Sequence, residues 1–183
     1  MSRLSDVPGL IGLVNKHGLK AFVETGCGDG EGLRYADEVL HLPVRFSCDL
    51  NPESVQKGER YGFVKQSDSL TFLKDVVENW AMPSLFWLDA HFPNKFGAVG
   101  GEKWPLPREL DLLTHKKGIE RDVIIADDIH CINDPDNPTR EDGPGHDWEP
   151  VHGCVADLIA LFKDTHTATI HKVGTGILIL EPK

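Results

Sequence analysis

Residues 21 to 32 read Ala-Phe-Val-Glu-Thr-Gly-Cys-Gly-Asp-Gly-Glu-Gly. An apolar run ends in an acid, Glu24, and glycines then take alternate positions at Gly26, Gly28, Gly30 and Gly32, ahead of a helix-compatible segment. Side chains are absent where a bulky ligand must lie against the backbone, and the exposed N–H groups of a helix start point at it. A second acid, Asp49, closes the next apolar segment. That is the place for a carboxylate that accepts hydrogen bonds from ribose hydroxyls. Turn and acid together indicate a nucleoside-containing cofactor at the carboxyl edge of a parallel sheet.

The elements that must position these residues alternate along the chain. The pattern predicts a lead-in helix over Leu10 to His17, then strand Lys20–Glu24, helix Gly30–Leu40, strand Val44–Asp49 and helix Glu53–Arg60. Strand Gly62–Gln66 follows, then a helix capped by Ser67 or Asp68 and running through Asn79, and strand Leu85–Asp89. After a glycine-rich loop come helix Pro107–Lys117 and strand Val123–Asp128. Residues Ile129 to Pro150 lack periodicity and read as a long loop over the site. Val151–Lys163 reads as a helix, and Thr167–Val173 with Gly176–Leu180 as a hairpin around Gly174. Repeated strand-helix units predict a mostly parallel α/β sheet with helices on both faces and a C-terminal antiparallel strand, all in one domain over residues 1–183. Glu24, Asp49, Asp89, Asp127 and Asp128 would then gather at the carboxyl ends of the strands.

Composition narrows the function. The 183 residues are 40% hydrophobic, enough for a core, and the net charge of −10 argues against nucleic acid as a partner, because polyanion binding depends on basic patches. Cys27, Cys48, Cys131 and Cys154 form no Cys-x-x-Cys pair, and there is no signal-type or membrane-spanning run, so a reduced cytoplasmic protein without a membrane partner is expected.

Several motifs resemble, in order, those of the class I methyltransferases that use S-adenosylmethionine, and more narrowly the small metal-dependent O-methyltransferases. They are Val-Glu-Thr-Gly-Cys-Gly-Asp-Gly, Cys-Asp-Leu-Asn-Pro-Glu, Gln-Ser-Asp-Ser, Phe-Trp-Leu-Asp-Ala-His-Phe, Pro-Leu-Pro-Arg-Glu-Leu and Val-Ile-Ile-Ala-Asp-Asp-Ile-His, and they cover most of residues 20 to 130. The resemblance implies a Rossmann-like methyltransferase sheet. Glu24, Thr25 and the turn at Gly26, Gly28 and Gly30 would hold the methionine part of S-adenosylmethionine. Asp49 would bind the ribose, Ser67 and Asp68 would sit at the adenine edge, and Asp89 would border the cofactor.

Asp89, Asp127 and Asp128 match the divalent-metal positions of that family. Three carboxylates converging without basic neighbours would repel, and Mg²⁺ or a similar hard cation would relieve them. The metal would lower the pKa of an acceptor hydroxyl, and the protein would hold that oxygen in line with the methyl carbon. Asp89 and His91 are thus the expected catalytic residues, His91 as a further ligand or a general base. The catechol-type members carry a lysine just after the metal-binding acid, but here Phe92 stands near that place and the nearest lysine is Lys95.

The expected acceptor is a small-molecule hydroxyl, with pocket walls from Gly97–Trp104, the segment after Asp128, or a second copy in a homodimer. Each assignment has a plainer counterpart: Asp68 as a helix cap, Glu109, which such proteins can turn toward the site, as a surface carboxylate, and Trp104 and Trp148 as packing rather than stacking residues. His130, His146, His152, Cys131 and Cys154 fit no compact zinc spacing. A nicotinamide-dependent oxidoreductase is disfavoured because Glu31 occupies the third-glycine position of Gly-x-Gly-x-x-Gly counted from Gly26. The Tyr-x-x-x-Lys spacing at Tyr61–Lys65, known from short-chain dehydrogenases, precedes or enters a predicted strand and is read as chance. A catalytically inactive cofactor-binding module is the third alternative.

Overall fold

The computed structural model describes residues 3–90, 104–132, 136–139 and 153–183. Helices and strands alternate as α1 (Leu10–Lys16), β1 (Ala21–Thr25), α2 (Glu31–Glu38), β2 (Val44–Asp49), α3 (Pro52–Gly58), β3 (Phe63–Gln66), α4 (Ser69–Asn79) and β4 (Ser84–Leu88). Then come α5 (Leu106–Thr114), β5 (Val123–Ala126), α6 (Val155–Ala160), β6 (His166–His171) and β7 (Ile177–Pro182). The strands form one seven-stranded sheet in the order β3-β2-β1-β4-β5-β7-β6. β1 to β5 pair in parallel, and β7 runs antiparallel to both β5 and β6. The expected parallel sheet with a C-terminal antiparallel hairpin is therefore present.

Strand side chains alternate between the two faces and find different partners on each. Phe86 and Leu88 of β4 join Phe72 and Leu73 of α4, Leu110 and Leu113 of α5 and Leu158 of α6. Leu85 and Trp87 of the same strand join Leu10 and Val14 of α1 and Leu33 and Ala36 of α2. Helices thus cover both faces, which is why β1, β4 and β5 are buried along their whole length.

Where boundaries differ from the sequence pattern, a local cause is visible. β4 stops at Leu88 and β5 at Ala126, short of the expected Asp89 and Asp128. The Asp127 N–H still bonds Leu88 O at 3.1 Å, but Asp128 adopts φ 56° and turns the chain out of the sheet. α5 ends at Thr114 because its last turn tightens, with His115 N bonding Leu112 O and Lys116 N bonding Leu113 O. α6 is shorter than the expected Val151–Lys163, as bonds from Phe162 N to Ile159 O and from Thr165 N to Phe162 O close it into turns. Of the long loop, Ile129–Cys131 is a 3-10 turn and Ile129, Ile132 and Asn137 are buried, while residues 133–135 and 140–150 lie outside the described residues. Lys65 lies on β3 rather than on a helix, so the Tyr61–Lys65 spacing does not fall on a helix. Among the described residues no helix is long and apolar enough to cross a membrane.

A buried ion pair ties the amino edge of the sheet together. Lys116 Nζ lies 2.7 Å from Asp122 Oδ2, with both side chains fully buried. Asp122 Oδ1 accepts the Ser84 N–H at 2.8 Å, and its carbonyl accepts His166 Nε2 at 2.9 Å. The ends of β4, β5 and β6 thereby converge on one residue. Burial outweighs the opposing Lys116 ammonium and pushes the Asp122 carboxyl up to about 6. Removing one member strands the other charge, so Asp122→Ala should cost about 3–5 kcal/mol in urea unfolding. Lys116→Met combined with Asp122→Asn, which keeps an acceptor for Ser84, should lose much less. Equal losses would mean that the unpaired charge is not the source of the cost.

Candidate functional site

The strand order reverses between β1 and β4, since β1 to β3 build outward in one direction and β4 and β5 in the other. A crevice at the carboxyl ends of such neighbours is where open α/β sheets bind ligands. The glycine turn leaves β1 there, and Asp89 leaves β4 beside it.

Gly26 adopts φ 81°, and a Cβ on it would stand 2.5 Å from Asp89 O and 3.1 Å from Ala90 Cα. Only glycine lets the two strand exits approach this closely. Gly26 and Cys27 both donate to Cys48 O at 3.0 Å, and the Gly28 N–H donates to Asp49 Oδ2 at 2.9 Å. Gly30 is the N-cap of α2. At Gly32 a Cβ would overlap Glu24 Oε1, so this glycine admits the acid under the start of the helix.

Glu24 is 2% exposed and accepts from Ser47 Oγ at 2.8 Å. Burial raises its carboxyl well above the usual range, the Ser47 hydroxyl opposes this, and the charges of Asp89 and Asp49 add to it. Thr25 is buried, and its hydroxyl lies 3.3 Å from the Asp89 N–H that also bonds the Thr25 carbonyl at 3.0 Å. Both side chains are thus bonded from buried positions, Glu24 to β2 and Thr25 to the segment bearing Asp89. Ser47, which the sequence reading did not single out, carries a recognisable signal: a hydroxyl inside an apolar strand beside an acid.

Asp49 is half-buried and anchored through both oxygens, with Oδ1 accepting the Asn51 N–H at 2.8 Å. Ser67 N–H donates to Asp49 O at 3.1 Å, which brings Ser67 and Asp68 to the same edge. Asp68 caps α4, its Oδ1 accepting the Thr71 N–H at 2.9 Å, so its plainer role is realised. Cys27 is pushed up to about 12, chiefly by burial, and Cys48 is also raised by burial, so neither thiol is poised as a nucleophile.

Across the switch point, one carboxylate oxygen each from Asp89, Asp127 and Asp128 lies within 4.8 Å of the other two. No other group of three or more His, Cys, Asp or Glu suited to a metal occurs among the described residues. Asp127 is fully buried, its Oδ1 accepts from Thr175 Oγ1 at 2.9 Å, and its Oδ2 is without a hydrogen-bond partner among the described residues. A buried carboxylate oxygen in that state is costly unless a cation or donor reaches it. The residues present fit a hard divalent cation, which takes oxygen ligands.

Other expectations resolve differently. Glu109 is fully buried on α5 rather than a surface carboxylate, and its charge acts on Cys48. Trp104 is packed into the core with Leu106 and Leu110, so it is no exposed stacking platform. His91, His146, Trp148, His152 and the segment 97–103 lie outside the described residues. Thr175 was not legible in advance, because a threonine in a hairpin turn carries no signal of what the turn will touch.

Comparison with solved structures gives the architecture its name. A methyltransferase from Podospora anserina bound to S-adenosylhomocysteine (SAH) superposes with a TM-score of 0.63 at 13% identity, over 100% of this chain and 80% of that one. The chain has the Rossmann-like methyltransferase fold. An O-methyltransferase from Bacillus cereus in complex with SAH gives 0.59 at 14% identity, over 100% of this chain and 83% of that one. A sugar N-methyltransferase from a Streptoalloteichus species gives 0.61 at 15%, over 98% and 87%. No protein-family model and no curated protein sequence matches the chain. Within this methyltransferase fold, the acids and the glycine turn described above occupy the carboxyl edge at the switch point.

Glu24 gives the site a pH signature. Its folded carboxyl holds a proton more tightly than the unfolded chain does, so the contribution of Glu24 to stability is full below about 4.5 and is lost as pH rises through the raised folded value. Ligand-free Glu24→Gln should lose this part of the slope and be the more stable protein at neutral pH. Chemical denaturation at several pH values measures this, and an unchanged slope would contradict the raised value.

Proposed function

We propose that the protein is an S-adenosylmethionine-dependent methyltransferase that methylates an oxygen of a small-molecule hydroxyl, assisted by a divalent cation. The observation that carries this reading is the contact between its two halves: the glycine turn and the segment bearing Asp89 meet backbone to backbone at Gly26.

In this reading, the turn leaves room for the methionine part of the cofactor, and Glu24 and Thr25 hold the turn in shape from behind. Asp49, already oriented by the N–H groups of Gly28 and Asn51, offers its remaining lone pairs to the ribose hydroxyls. Ser67 and Asp68 border the adenine. The cofactor supplies an electrophilic methyl group. Asp89, Asp127 and Asp128 hold the cation, whose Lewis acidity makes an acceptor hydroxyl easier to deprotonate. His91, two residues beyond Asp89, is the proposed base. The protein's largest contribution is to hold acceptor oxygen and methyl carbon in line, a task suited to two groups fixed on adjacent strand ends. The four cysteines, which form no disulfide among the described residues, fit a reducing compartment, and we assign the protein to the cytoplasm.

Thermal shift separates this reading from its competitors, since a ligand present at 100 times its Kd stabilises by about 2.7 kcal/mol. SAH should stabilise the protein and NAD should not. Asp49→Ala should abolish the SAH shift. Mn²⁺ should add a further shift that Asp127→Asn removes while the SAH shift remains. Stabilisation by NAD alone would favour an oxidoreductase, and joint loss of both shifts in Asp127→Asn would refute separate cofactor and cation sites.

A further inference from the structure

We infer that Thr175, in the turn between β6 and β7, is a positioning residue for the Asp127 carboxylate, and that the terminal hairpin serves as a clamp on the acidic cluster. The inference rests on the cation site proposed above.

The turn reaches that cluster through main-chain bonds first. Ile129 N–H donates to Gly176 O at 3.2 Å, and His130 N–H donates to Thr175 O at 3.1 Å. The Thr175 carbonyl also lies 2.7 Å from His130 Nδ1, which must be the protonated ring nitrogen because a carbonyl only accepts. Asn137 Nδ2 also donates to Ile129 O at 2.7 Å and Ile132 O at 3.1 Å. Gly176 sits so close to Thr139 that a Cβ would fall 2.6 Å from its Oγ1. The 129–132 segment is therefore bonded both to the hairpin turn and to Asn137, and these two contact each other through Gly176 and Thr139. These bonds hold the adjoining corner in place, where Asp128 keeps a left-handed φ of 56° that a non-glycine residue rarely adopts.

None of those bonds uses the Thr175 side chain. Its hydroxyl is left to donate to Asp127 Oδ1 at 2.9 Å. An aspartate carboxylate turns readily about its last torsion, which is broad. A donor fixed on a docked turn removes that freedom. It also takes up one carboxylate oxygen, leaving Oδ2, buried and without a hydrogen-bond partner among the described residues, as the atom that still requires a positive partner. A purely structural role would need the hydroxyl to hold the hairpin down, but the main-chain bonds already do so. The hydroxyl's distinct effect is on the acid, and residues that orient a ligating carboxylate typically change metal affinity about 10–100-fold when lost.

The test uses Mn²⁺ binding by calorimetry to the full chain, beside the SAH thermal shift as a measure of an intact fold. Thr175→Val and Thr175→Ala should weaken Mn²⁺ binding about 10-fold or more. Thr175→Ser, which restores the hydroxyl, should bind within about twofold of the wild type. The SAH shift should persist in all three. If Asp127→Asn loses Mn²⁺ binding while Thr175→Val and Thr175→Ala bind like the wild type, the role of Thr175 is overturned and the cation site stands. Failure of Thr175→Ser to rescue binding would also overturn it. If the wild type and Asp127→Asn bind Mn²⁺ equally, the cation site falls and this inference falls with it.

Discussion

No side chain fits at residue 26, and much of the site follows from that. The backbone of the glycine turn comes so near the Asp89 carbonyl that β1 and β4 must leave the sheet together. They are neighbours in the sheet and lie where its strand order reverses, the place at which open α/β sheets bind ligands. The turn abuts the segment bearing Asp89, which is itself a member of the acidic cluster.

Charge is distributed along the sheet in keeping with this geometry. At the amino edge, the buried acid Asp122 is matched by a buried lysine and a main-chain N–H. At the carboxyl edge, Glu24, Asp49, Asp89, Asp127 and Asp128 gather, and the raised carboxyl of Glu24 registers the charges of Asp89 and Asp49. A paired ionic group holds strands in register. An acid-rich edge with a buried, incompletely bonded oxygen is instead suited to receiving something positive. The sulfonium of the proposed cofactor and the proposed cation both answer to that description.

The C-terminal hairpin adds a constraint that a minimal parallel sheet would lack. β7 inserts antiparallel between β5 and β6, and this returns the chain to the carboxyl edge at residues 173–176. The turn then bonds to the segment that follows Asp128. Two acids carried past the end of β5 would otherwise sit on a free loop, and here they are fixed from the side.

The order of helices and strands was legible in the sequence, because periodicity, glycine punctuation and the cap at Asp68 are local signals that the folded chain obeys. So was the gathering of the acids, since each follows an apolar run and parallel strands bring such ends to one edge. The strand limit at Asp128 differs because the chain turns left-handed there, beside a segment bonded to a hairpin some 45 residues away, an interval set by His130 and Thr175. The burial of Glu24, Glu109 and Trp104 was equally out of reach, because exposure depends on which helix packs over a residue. What the sequence alone determined is which chemical groups arrive at the carboxyl edge. Which of them face inward as braces, which are joined by partners such as Ser47 and Thr175, and which keep an oxygen without a hydrogen bond were decided only by long-range packing, for a side chain's environment is made by residues distant in the chain.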